Sequence, residues 1–279
     1  MGFRDLLAIV TSEAGGRSVL ACARQLAQQN SARLSTLVVN WLPALPMVVE
    51  GHAVDPYWAD LVRRAEEDLK TEGVKVKAAL ERDADNPAIE SLLLELGSAR
   101  PVLGMRARHA DITIAARPKK AAAESEFAVL EGALFQSGRP VMLVPPDWKQ
   151  RAIGRSVLVS WKATREAARA LADASEFLHG AARVTVVTVD AKPSEGGYGA
   201  QPGADISTHL ARHGLKPELM NLDSTGRSDA QTILDQAIAV DADLIVMGGY
   251  GRSRMSEFIF GGVTRGMLAS SPIPILMAH

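Results

Sequence analysis

The residues best suited to chemistry in this 279-residue chain lie near its end, in the segment Met247-Gly248-Gly249-Tyr250-Gly251-Arg252-Ser253-Arg254-Met255-Ser256-Glu257-Phe258-Ile259-Phe260-Gly261-Gly262-Val263-Thr264. An apolar run precedes this segment and a helical pattern follows it. Glycines at such a point let backbone N–H groups approach phosphate oxygens, and a helix N-terminus adds unpaired donors and a partial positive charge. The spacing is G-x-x-G, nine residues, then G-G, with no Gly-Lys-Ser/Thr to make a Walker A loop. Nor is it a dinucleotide fingerprint, which belongs after a domain's first strand. The alternative is that these glycines only make turns and a helix–strand contact.

Other chemistry is thinner. Asp205, His209 and His213 fall on one face of a helix at i, i+4 and i+8, where two imidazoles could share a metal. No Glu follows the first His as a zinc hydrolase helix requires, and Gly214 ends the helix at once. Cys22 is the single cysteine, which excludes an internal disulfide and any cysteine-built zinc or iron–sulfur site. Its helical spacing with Leu20 and Leu26 makes it a small core residue, a reactive thiol being the sharper alternative. No Ser/His/Asp set at recognisable spacing supports acyl transfer.

These residues must be positioned by a fold, and an internal repeat reveals it. Ala32–Asn40 (ARLSTLVVN) matches Ala182–Asp190 (ARVTVVTVD), Ala110–Ile114 (ADITI) matches Ala242–Val246 (ADLIV), and Pro140–Val144 (PVMLV) matches Pro274–Ala278 (PILMA), in the same order. One domain is used twice. In the first half, strands are expected at 6–10, 34–39, 74–80, 112–115 and 141–144, with helices at 17–29, 56–71, 87–96 and 126–136. In the second half, strands are expected at 157–160, 184–189, 218–222, 244–247 and 273–277, with helices at 164–178, 204–213, 230–240 and 263–270. Apolar strands of 4–6 residues between longer helical segments mean βαβ units and a parallel sheet with helices on both faces. The fold class is therefore α/β, with two tandem domains at 1–147 and 152–279, each a five-stranded Rossmann-like sheet. Pro145-Pro146-Asp147-Trp148-Lys149-Gln150 is the linker, its two prolines stopping a strand.

Composition bounds the partners. Lys and Arg number 31 against 32 Asp and Glu, a net charge of −1, where a protein gripping nucleic-acid backbone is usually basic. No run of about 18 apolar residues signals a membrane helix. Asp5 interrupts the start of any signal peptide, so the chain reads as cytoplasmic. Neither nucleic acid nor membrane is expected as a partner.

The pattern Gly248-x-x-Gly251, nine residues, Gly261 resembles the nucleotide loop of the universal stress protein family. So do the strand before Thr164-Arg165-Glu166-Ala167-Ala168-Arg169-Ala170 and the ending Ser271-Pro272-Ile273-Pro274-Ile275-Leu276-Met277. The resemblance covers the second half throughout and the first half more weakly, which implies a tandem member. It implies a five-stranded parallel sheet with ATP, with or without magnesium, over the ends of the first and fourth strands. Some members of the family bind ATP there and others bind no nucleotide. Carried over, the site comprises Trp161, Lys162, Val189, Met247, Gly248, Gly251, Arg252, Gly261, Gly262, Val263 and Thr264. Gly262 stands where the family has Ser or Thr, with Thr264 one turn in as a substitute hydroxyl. Lys162 stands where the family has an acid. A lysine there folds onto the phosphates, blocks the adenine and ribose part of the pocket, or points into solvent. Val189 falls where the family's backbone meets adenine. A Cβ at Gly251 or Gly261 would fill the phosphate's space and oppose a positive φ.

The first half has Ala115-Ala116-Arg117-Pro118-Lys119-Lys120-Ala121-Ala122-Ala123 instead of the loop, and Thr11 in place of the acid. It is expected to bind no nucleotide. The resemblance implies a stress-response protein that binds adenine nucleotide as a sensor or switch, with at most slow hydrolysis. The alternative is a nucleotide-free dimerisation or partner-binding module for a protein that the sequence does not identify. The apolar strands at 141–144 and 275–277 are expected to pair within the chain as a pseudo-twofold sandwich of two sheets end to end. Further association would use another surface and give a homodimer.

Overall fold

The computed structural model describes residues 2–11, 16–44, 56–81, 87–118, 124–149, 151–196, 199–249 and 261–279. Readings that fall on Lys119–Ala123 and Gln150 lie outside them. In the first half, β1 (Asp5–Thr11), β2 (Arg33–Trp41), β3 (Ala88–Leu94), β4 (Ile112–Ala116) and β5 (Val141–Val144) are joined through α1 (Gly16–Asn30), α2 (Pro56–Leu80), α3 (Leu96–Ala107) and α4 (Glu124–Gln136). In the second, β6 (Ser156–Ser160), β7 (Arg183–Val189), β8 (Glu218–Leu222), β9 (Leu244–Gly248) and β10 (Ile275–Ala278) alternate with α5 (Arg165–Asp173), α6 (Ser175–Gly180), α7 (Ala204–Arg212), α8 (Asp229–Ala239) and α9 (Gly262–Ser270).

The strands form one sheet in the order β3-β2-β1-β4-β5-β10-β9-β6-β7-β8. Every neighbouring pair is parallel except β5 and β10, which run antiparallel with Met142 opposite Leu276. The last strands of the two halves thus pair within the chain as expected. They fuse the halves into a single ten-stranded sheet rather than a sandwich. β5 and β10 are buried along their whole length, as strands covered by helices on both faces must be.

Two apolar layers follow, one on each face of the sheet, and each draws on both halves. One contains Leu6, Val38, Ile114, Met142, Val246 and Leu276; the other contains Ile9, Leu37, Leu143, Ile245 and Met277. The linker is tied down. The Ser18 hydroxyl donates to the Pro146 carbonyl at 2.5 Å, Gln25 Nε2 donates to the Arg151 carbonyl at 2.8 Å, and Trp148 packs on the first layer.

Three expected elements are corrected. Residues 74–80 are the last two turns of α2, not a strand. Val74 and Val76 alternate with lysines, but Val76 is buried and Val74 is 63% exposed. The face that packs is Ala65, Leu69, Val76 and Leu80, at helical spacing. The third strand is consequently Ala88–Leu94, where a helix at 87–96 was expected. Helix α3 was not anticipated, because Pro101 lies inside it. It closes on α4 through glycines: a Cβ at Gly104 would come within 2.9 Å of the Gly132 carbonyl, and one at Gly132 within 2.8 Å of the Arg100 carbonyl. Finally, the helix expected at 164–178 is two segments that meet at Ala174.

Candidate functional site

In an open parallel sheet the ligand crevice lies beyond the carboxyl ends of the strands where the winding reverses. In the second half this is between β6 and β9, where Ser160 pairs with Met247. Trp161 leaves β6 with its N–H donating to the Val187 carbonyl at 2.8 Å, and its side chain packs against the core. Lys162 follows, exposed, its carbonyl accepting from the Thr164 N–H at 2.7 Å. Among the described residues it makes no ion pair. Thr164 caps α5, its hydroxyl accepting from the Ala167 N–H at 3.3 Å.

That cap brings the start of α5 against the end of β9. A Cβ at Gly248 would meet the Ala167 nitrogen at 2.5 Å, the Glu166 carbonyl carbon at 2.7 Å and the Ala167 Cα at 3.0 Å. A helix–strand contact therefore explains this glycine without any ligand. Gly249 is similar: its N–H donates to the Ala278 carbonyl at 2.8 Å, and a Cβ there would lie 3.1 Å from Leu134 Cδ2.

Gly261 and Gly262 differ. Both are exposed, and a Cβ on either would meet no described residue within 4 Å. Gly261 is the N-cap of α9 with φ −61° and ψ 156°, and no side chain caps the helix. The positive φ expected at Gly261 is thus absent, and no described residue bars a side chain there. As the crossover helix between parallel β9 and β10, α9 runs back along the sheet, so its N-terminus lies at the carboxyl end of β9. The first N–H groups of a helix have no intrahelical partner, and among the described residues no side chain caps these. Val263 is half-buried and Thr264 is buried in this first turn. Gly251 and Arg252 lie outside the described residues, with the rest of 250–260.

The flanks carry charge. Glu166, buried beneath the α5 cap, accepts from Arg165 Nε at 2.5 Å. Burial opposes its ionisation, but Arg165, its own backbone N–H and the Thr164 hydroxyl together hold its carboxyl below the usual value. Val189 ends β7 opposite Leu222, and the chain turns away through Asp190 at φ +48°. The Asp190 carboxylate accepts from the Ser224 N–H at 2.9 Å, which lowers its pKa. Met247 is a buried strand residue beside Ser160 and Met277. Strand ends thus bring together Trp161, Lys162, Val189, Met247 and Gly248, and the crossover adds Gly261, Gly262, Val263 and Thr264.

Sequence reasoning missed one paired feature. Asp111 accepts from the N–H groups of Arg4 and Asp5 at 2.7 and 3.0 Å. Asp243 does the same for Gly154, Arg155 and Ser156 at 2.8, 3.0 and 3.3 Å. Each carboxylate thereby fixes the strand that begins its half. The signal was present in the repeated Ala-Asp of 110–111 and 242–243. Elsewhere, the His209 and His213 rings are tilted by 57° with centroids 4.7 Å apart. Among the described residues no group of three or more His, Cys, Asp or Glu is placed to share a metal. Cys22 is buried 3.7 Å from Met142 Sδ, and burial pushes its thiol pKa up, as for an inert core residue. Among the described residues no helix is long and apolar enough to cross a membrane.

Comparison with known proteins agrees with this geometry. Residues 155–279 match the model of the universal stress protein family. Over nearly its whole length the chain has the fold of a universal stress protein from Archaeoglobus fulgidus DSM 4304, with a TM-score of 0.67 and 17% identity, covering 98% of this chain and 97% of that one. A functionally unknown protein from Pseudomonas aeruginosa PAO1 aligns with a TM-score of 0.57 and 14% identity, covering 99% and 92%. No curated protein matched the chain.

Proposed function

Residues 155–279 form a universal stress protein domain in a chain whose whole length has the fold of two such domains, and from this premise we propose that the second domain binds adenine nucleotide. ATP is the favoured ligand, and the protein acts as a cytoplasmic sensor or switch in a stress response. The observation that carries the reading is the N-terminus of α9 at Gly261 and Gly262, which no described residue caps or fills, beyond the switch point of β6 and β9. Among the described residues, backbone packing accounts for Gly248 but not for these two. Backbone N–H groups there would hold phosphate at no cost in side-chain entropy, each charge-assisted bond contributing about 1.5–3 kcal/mol. Exposed Lys162 is free to turn its charge toward the phosphates, and we assign the site no turnover beyond slow hydrolysis. The first domain serves as a structural partner without nucleotide. Because β5 and β10 already pair within the chain, association of two chains into a homodimer would use another surface.

A second reading is a nucleotide-free module that binds a partner protein. It is favoured by Gly248, whose glycine the α5 backbone alone requires, and by Lys162 in place of an acid. Mass spectrometry of the protein as purified, with thermal unfolding against ATP, ADP and AMP, separates the two. The nucleotide reading expects co-purified nucleotide or a rise in Tm with ATP that Gly261→Val removes. No bound mass, and equal Tm with and without each nucleotide, would leave the partner-binding module.

A further inference from the structure

The two halves make the same backbone bond where the loop after the fourth strand begins. Arg117 N–H donates to the Val144 carbonyl and Gly249 N–H to the Ala278 carbonyl, each at 2.8 Å. Arg117 therefore occupies in the first half the place of Gly249 in the second. At Gly249 no side chain crosses to the other half, and the α4 residue Leu134 fills the space. At Arg117 a guanidinium crosses instead, and its Nη1 donates to the carbonyl of Leu268, in the last turn of α9. Leu134 and Leu268 are themselves equivalent, so the two contacts are the two faces of one pseudo-twofold seam.

The Leu268 carbonyl needs this donor. Its helical partner would be the N–H four residues on, but that residue is Pro272, which has none. Helix C-termini carry partial negative charge, which favours a cation there. The guanidinium is half-buried, and Nε has no partner among the described residues. Burial lowers its pKa, while the Asp147 and Glu126 carboxylates oppose that shift.

We infer that Arg117 is a positioning residue for α9: the first domain, which lacks the glycine loop, anchors the C-terminus of the helix whose N-terminus is the proposed phosphate site. The consequence for affinity rests on the nucleotide reading; the anchoring does not. Hydrogen exchange of the nucleotide-free full-length chain tests the anchor in wild type, Arg117→Met, Arg117→Lys and Arg169→Met. Arg117→Met keeps the apolar stem and should speed exchange of the α9 amides about tenfold, the scale of one charge-assisted hydrogen bond, with β6 and β7 changed less than about twofold. Arg117→Lys should restore part of the protection. Arg169→Met removes another arginine–carbonyl bond across the seam, to Gly138 at 3.1 Å, and should leave α9 unchanged. Equal acceleration throughout the second domain, or the same α9 effect from Arg169→Met, would overturn the anchor. ATP titration of wild type and Arg117→Met then tests the coupling, with affinity expected to fall about fivefold. Unchanged affinity despite faster α9 exchange would overturn it. A wild type that binds no ATP would refute the nucleotide reading and leave the exchange result to decide the anchor.

Discussion

The two halves share strand order, register at the switch point and an aspartate that fixes the first strand, yet they end their fourth strands differently. In the second half β9 ends in Gly248 and continues into Gly249, and the α5 backbone closes to 2.5 Å of where a Cβ on Gly248 would stand. In the first half β4 ends in Ala116 and continues into Arg117, whose side chain is spent on the other domain's helix. The same architecture can thus leave a helix N-terminus open or use the neighbouring loop as a brace. The choice is made by one or two residues after a strand, not by the sheet.

The comparison is broken most severely at Gly248. Ala116 shows that a methyl fits the equivalent position of the first half, whereas Gly248→Ala drives a Cβ into backbone atoms that cannot rotate away. Chemical unfolding should show a loss of about 1–3 kcal/mol, with or without nucleotide. Unchanged stability would mean that the α5–β9 contact is looser than the structure has it.

A smaller and opposite pair of effects separates Asp111 from Asp243. The backbone N–H groups of Arg4 and Asp5, with the charge of Arg139, outweigh burial at Asp111 and lower its pKa; burial prevails at Asp243 and raises it. A lowered acid contributes stability that is present above its unfolded value and lost as pH falls through the folded one. A raised acid contributes stability that is present below its unfolded value and lost as pH rises through the folded one. The stability gap between wild type and Asp111→Asn should therefore widen as pH rises through the carboxylate range, by less than about 1 kcal/mol because solvent screens the site. The gap for Asp243→Asn should narrow over the same range. Parallel pH profiles for the two variants would contradict this distinction.

The smallest effect is expected at Gly262. Its backbone is helical and its surroundings are open, so Gly262→Ala should raise stability by about 0.4–1 kcal/mol through the unfolded chain's entropy. A loss of stability there would contradict an open α9 N-terminus.

Much of this was legible in the sequence. Unbroken apolar runs such as VTVVTV and LIVMG can only be strands buried on both faces, and the family resemblance implied that the two short apolar end strands pair, as β5 and β10 do. The stretch 74–80 misled because lysines between valines imitate a strand, and only the packing of Val76 with Leu80 distinguishes a helix. Pro101 hid α3, since tertiary packing of Gly104 on α4 overrides the local penalty. Within the site, glycine spacing could not separate Gly248, fixed by packing, from Gly261 and Gly262, which are not. Arg117 was invisible because its partner carbonyl lies 151 residues away, and a backbone acceptor leaves no mark in composition or spacing.

The central claim is that one half takes nucleotide and the other does not. Photolabelling the full-length protein with an azido-ATP probe, followed by peptide mapping, tests it most directly. The account predicts one label per chain, confined to peptides of 155–279 and displaced by ATP. Labelling of the first half, or none that ATP displaces, would contradict it.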